Sequence, residues 1–165
     1  MFQRAYEALQ LGDSAGAEAI CRRLLEDAPD SEGPLMLLAL SLEAQKRLSD
    51  ASEIFEKLAI LFPQSAAHWI NLGSIRRMRG DSARAREAYT RATEIDSHDA
   101  NALFNLGLLA MDSGEFSGAR DCLLRAVEHA PEDPMIRAEA ANAEFACGNT
   151  GAAERQLQGW QTWSA

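Results

Sequence analysis

Two asparagines, Asn71 and Asn105, stand at matching places in two stretches rich in leucine and alanine. A carboxamide both donates and accepts hydrogen bonds, so it can hold a peptide backbone without reading the side chains along it. Ile70 and Phe104 adjoin them, and Met36 and Met111 lie further along the chain, flexible or aromatic side chains of the kind that line adaptable apolar grooves. A second feature is charge. Between residues 66 and 99 fall six arginines, Arg76, Arg77, Arg79, Arg84, Arg86 and Arg91, and that segment alone carries a positive formal balance in a chain of net charge −9. Glu87 and Arg91 have the spacing and order that favour an ion pair on a helix. The cluster reads as a solvated, self-paired face, with docking of an acidic partner on Arg76, Arg79 and Arg84 as the alternative.

Other chemistry is missing. The sequence holds no Gly-x-Ser-x-Gly elbow, no phosphate-binding glycine loop and no His-Glu-x-x-His. Its three histidines, His68, His98 and His129, fall near expected helix ends in different segments, where exposed, dipole-favoured imidazoles are common. Cysteines at 21, 122 and 147 are odd in number and lack a Cys-x-x-Cys pair, against a disulfide framework or a zinc site. We therefore expect no enzyme, no cofactor and no metal, and a reducing, cytoplasmic setting. The acidic balance argues against nucleic acid as a partner. No apolar run is long enough to insert in a membrane, and residues 1–10 lack the core of a secretory signal.

What must position these residues is legible in Ala100–Asp133. Leu103, Leu106, Gly107 and Ala110 form one apolar stripe at helical spacing; Ala119, Leu123, Ala126 and Val127 form another. Ser113-Gly114-Glu115 separates them, so the segment predicts a helical hairpin. Glycine inside a helix costs about 1 kcal/mol against alanine, which is offset if Gly107 lets the second helix approach at Ala119. On that reading Gly107→Leu is severe and Gly107→Ala mild. Subtracting 34 repeatedly carries Ala119 onto Ala85, Ala51 and Ala17, and forward onto Ala153. Leu106-Gly107 falls on Leu72-Gly73, and Pro131 on Ser97, Pro63 and Pro29.

A 34-residue period with Leu-Gly, small alanine positions and a closing proline resembles the tetratricopeptide repeat family. The resemblance implies an all-α superhelical solenoid of antiparallel helix pairs. Five units are expected, 1–31 (partial), 32–65, 66–99, 100–133 and 134–165, packed as one array because each unit buries its stripe only against neighbours. Unit 32–65 departs from the pattern: Ala39 stands at the close-packing glycine, and Lys46-Arg47 replaces the turn glycine.

In the family the first helix of each unit lines the concave face. Carried onto this sequence, that face holds Met36, Leu37 and Leu40 from the second unit, and Ile70, Asn71 and Arg77 from the third. Phe104, Asn105, Leu108 and Met111 follow from the fourth, then Asn142 and Phe145 from the fifth. The function implied is a protein-interaction scaffold that takes a partner's peptide or helix in this groove. The cationic sites used by relatives that clamp chaperone tails hold Phe2, Tyr6, Asn71, Asn101 and Asn105 here, against that specialisation. Two alternatives stay open: a regulatory or substrate-presenting array of a larger bacterial enzyme, sulfotransferase- or glycosyltransferase-like, and self-association through Trp160 and Trp163 of the final helix.

Overall fold

The structure, a computed structural model, describes residues 1–158. Trp160 and Trp163 therefore lie outside the described residues. Ten helices follow in order: α1 (Phe2–Gln10), α2 (Ser14–Asp27), α3 (Glu32–Ala44), α4 (Leu48–Leu61), α5 (Ala66–Met78), α6 (Ser82–Ile95), α7 (Ala100–Asp112), α8 (Phe116–His129), α9 (Pro134–Ala146) and α10 (Thr150–Gln158). No strand interrupts them among the described residues. The chain divides into two compact units, Met1–Ala85 and Arg86–Ala165.

Each hairpin turns by the same local device. Gly12, Lys46, Gly80, Gly114 and Gly148, one per hairpin and evenly spaced, all have positive φ, between 61° and 83°. The N–H of the next residue then reaches back five positions to a carbonyl at the end of the first helix. Asp13 donates to Ala8 at 2.8 Å, and Arg47 to Leu42, Asp81 to Arg76, Glu115 to Ala110 and Asn149 to Glu144 at 2.9 Å. This is the six-to-one bond of a left-handed helix terminus. Lysine at 46 adopts it at a steric cost that glycine avoids.

In the first unit consecutive helices pack pairwise from α1 to α5, and the first helices α1 and α3 touch. Ala17, Cys21, Ala51, Phe55 and Leu58 are sealed from solvent on the second helices, and Leu35, Leu38, Ala39 and Leu42 on α3. The two hairpins are also joined by charge. Glu18 on α2, 9% exposed, accepts from Arg22, from Gln45 at 2.8 Å and from Arg47 at 2.9 Å, so the α3–α4 turn is tied to α2.

The second unit repeats the arrangement through α7–α8, α8–α9 and α9–α10. Ala110, Ala119, Leu123, Ala140 and Ala143 form one apolar cluster, and Leu103, Ala126 and Ile136 another. Arg86 donates to Glu115 at 2.6 Å. Counting in 34s, Arg86 occupies the position of Glu18 and Glu115 that of Arg47, so the same joint is made with its charges exchanged.

The tight point of the α7–α8 hairpin is nearer Leu123 than expected. A Cβ on Gly107 would lie 2.6 Å from Leu123 Cγ and 3.3 Å from the Ala119 carbonyl oxygen. Cγ is the branch point of a fully buried side chain and has little room to yield. The expectation that Gly107→Ala is mild is thus corrected. It should cost about 1–2 kcal/mol, overpacking outweighing the gain in helix propensity, and Gly107→Leu more; thermal unfolding measures both, and an unchanged melting temperature for Leu contradicts the crossing. Conversely, Lys46→Gly should raise stability by roughly 0.5–1 kcal/mol, since it removes the left-handed strain at a small entropic cost. Denaturant midpoints of the two chains check the sign.

Candidate functional site: the first-helix faces

The proposed lining residues sit on α3 and α5 in the first unit and on α7 and α9 in the second. Met36, Leu40, Ile70, Asn71 and Arg77 are half-buried. Leu37 is 5% exposed, so its side chain packs rather than facing a ligand, a correction to its reading as lining. The structure brings Asn71 and Met36 together across α5 and α3, with the amide nitrogen 3.7 Å from the thioether sulfur. A thioether sulfur is a soft, weak acceptor, so this contact holds the amide only loosely.

On α7, Phe104, Asn105, Leu108 and Met111 are half-buried. Phe104 and Met111 pack against the Ala110–Leu123 cluster, and Phe104 also touches the Leu103–Ala126–Ile136 cluster. Phe104 is therefore a core buttress, and truncating it would disturb the fold. The Asn105 amide donates to the Asn101 carbonyl at 2.8 Å, one turn back on its own helix. α9 is more open. Asn142 is exposed, its amide donating to Glu139 at 3.2 Å, and Phe145, three residues on, is 69% exposed. Residues three apart share a helix face, so an aromatic ring and an amide stand side by side in solvent.

The arginine cluster is largely spent within the fold. Arg76 donates to Glu56 at 3.1 Å and to the Arg84 carbonyl, and its side chain is only 14% exposed. Arg84 stands 3.7 Å from Asp81. Arg91 pairs with Glu94 at 2.8 Å rather than with Glu87, the partner its spacing suggested. Arg79 alone of the three docking candidates is exposed with no ion pair among the described residues.

Some groupings escaped sequence reasoning. His68, expected near a helix end in solvent, is 3% exposed; its Nε2–H donates to Glu32 at 2.8 Å and pins the start of α5 to the start of α3. His98 and His129, expected apart, meet edge to face with ring centroids 4.7 Å apart. Glu18 carries no local signal of its burial; alignment by two periods with Arg86, which pairs with Glu115, marks it as a joint position. Burial pushes its carboxyl up, but hydrogen bonds from Gln45, Arg22 and Arg47 outweigh that and hold it below the ordinary glutamate value. It is therefore fixed as an anion, unlike a general acid, whose proton must be available near neutral pH. Burial raises the thiols of Cys21 and Cys122, which leaves them protonated and unreactive. Among the described residues no three His, Cys, Asp or Glu side chains group as a metal site, and no helix is long and apolar enough to cross a membrane.

Antiparallel helix pairs recurring at a fixed period, each turned by a left-handed residue, define an all-α helical-repeat protein. The chain belongs to the tetratricopeptide repeat family, whose pattern matches residues 2–66, 36–100 and 77–143. Solved structures agree on the fold. PilF from Pseudomonas aeruginosa superposes with a TM-score of 0.88 at 17% identity, covering 99% of this chain and 75% of that one. MamA gives 0.82 at 23% identity over 93% and 90% of the two chains. YrrB, described as a TPR protein with an unusual peptide-binding site, gives 0.72 at 18% identity over 93% and 79%.

Because the folded-state value of Glu18 is depressed, its contribution is complete above the unfolded value of about 4.3 and is lost as pH falls through the lower folded value. Glu18→Gln should thus be less stable than the parent at pH 6, with the gap closing toward pH 3. Chemical denaturation at the two pH values tests this; a gap that stays constant would mean the carboxylate charge contributes nothing.

Proposed function

We propose that the chain is a non-enzymatic protein-interaction scaffold whose first helices hold a segment of a partner polypeptide. Family membership supports this reading, as does the peptide-binding site for which the structurally similar YrrB is described. The observation that carries it is Phe145, 69% exposed beside Asn142 on α9. A phenyl ring left mostly in solvent contributes little to folding, yet it offers the kind of anchor around which interface energy concentrates. The adjacent carboxamide offers a donor and an acceptor to a peptide bond, and binding exchanges its weak surface contact with Glu139 for a desolvated one. Met36 with Asn71 supplies a similar thioether–amide pair in the first unit. The client is then an extended or short helical segment with apolar anchors, its backbone held by asparagine amides.

Phe145→Ala with Asn142→Ala should weaken client capture by about 2 kcal/mol or more while leaving the melting temperature within roughly a degree or two, since neither side chain is buried. The measurement is quantitative affinity capture from the source cells, with both chains' melting curves as control. Capture unchanged by this pair, but abolished by Arg79→Glu, would transfer the function to the basic segment.

A further inference from the structure

On the opposite side of the first hairpins, α2, α3 and α4 border an open notch of about 330 Å³. Its walls are Leu25, Pro29, Leu35, Leu38 and Ile54, with Glu26 at the rim. Leu35 and Leu38 are 2% exposed and form a packed floor. One repeat on, Leu35 becomes Trp69 and Pro29 becomes Pro63. There the Trp69 indole reaches over, its N–H donating to the Pro63 carbonyl at 3.1 Å. Two repeats beyond Trp69, the same position is Arg137, whose guanidinium donates to the Gln156 carbonyl at 2.6 Å. In both cases a long side chain bridges from the first helix across this face. Leucine at 35 is too short to do so, and the notch stays open.

We propose that this notch is a binding site for an aromatic side chain, of tryptophan type, carried by a partner polypeptide next to a basic residue. The indole size is given by the chain itself, which places one at the corresponding position a repeat later. The polarity follows from the rim. Lys57 is committed, donating to the Pro29 carbonyl at 2.7 Å and pairing with Asp30 at 2.8 Å, and Arg22 is paired with Glu18. The Pro29 carbonyl is thereby occupied, and Glu26, exposed and without a partner among the described residues, is the available anion. A lysine or arginine flanking the aromatic residue would pair with it, in keeping with the net charge of −9. The notch uses Leu35 and Leu38 of α3, not its Met36 and Leu40 side, so a client held there and an aromatic anchor held here do not compete.

The test uses acetylated, amidated Lys-Trp-Lys and Glu-Trp-Glu tripeptides titrated into methyl-labelled chain. Saturable shifts are expected at the methyls of Leu25, Leu35, Leu38 and Ile54, with Lys-Trp-Lys tighter by about threefold, the worth of a surface ion pair, and Glu26→Lys erasing that preference. Leu35→Trp fills the notch from within and should weaken both peptides about tenfold or more; its melting curve verifies that the variant folds. Non-saturating shifts, shifts confined to other methyls, or binding unaffected in a folded Leu35→Trp chain would each overturn the proposal. Should Leu35→Trp fail to fold, Ile54→Arg, on a half-buried wall position, serves in its place with the same readings.

Discussion

A helical hairpin can bury its two stripes against each other only if the chain reverses within three residues, and that reversal needs one residue with positive φ. Residues 12, 46, 80, 114 and 148 take that conformation, and the N–H after each closes onto the first helix. With the turn fixed, the second helix returns at a set height. Ala17, Ala51, Ala85 and Ala119 then fall inside the hairpin joints, and all are fully buried. The residue four positions on, Cys21, Phe55, Tyr89 or Leu123, is fully buried beside it. The turn, the small residue and the buried residue four positions on recur together at the 34-residue spacing.

Charge pairs between hairpins add a layer that varies from joint to joint. Glu18 with Arg47 and Arg86 with Glu115 use one pair of positions with opposite charges. An ion pair at a joint is indifferent to which partner is acidic, so the sequence is free to exchange them while the backbone stays the same. The partly buried Glu18 pair, with three donors on one carboxylate, is the kind that contributes measurably; the other is more exposed and worth less.

Periodicity made most of the fold legible. Alanine at 17, 51, 85 and 119 and glycine at four of five turns fix the helices and their breaks before any coordinate is known. Lys46 shows that the backbone requirement outlasts the residue best suited to it. Exposure was less legible, because it depends on which neighbour covers a face. Leu37 shares a helix position with the half-buried Asn71 and Asn105, yet it is buried, and Phe104 buttresses two clusters. His68 and Glu18 read as surface residues by type; their burial follows from partners 36 and 27 to 29 residues away, which no local pattern displays. Leu123 rather than Ala119 as the nearest neighbour of Gly107 is a matter of side-chain direction along the helix, which spacing alone leaves open.

Each turn, lysine included, is thus locked in the left-handed form by the six-to-one bond. Residue-resolved amide hydrogen exchange on the native chain tests this most directly. The amides of Asp13, Arg47, Asp81, Glu115 and Asn149 should all be protected well beyond unstructured peptide rates, with Arg47 in line with its counterparts at 81 and 115. Exchange at Arg47 at the unstructured rate, beside protected amides at 81 and 115, would contradict a common turn recurring at the 34-residue spacing.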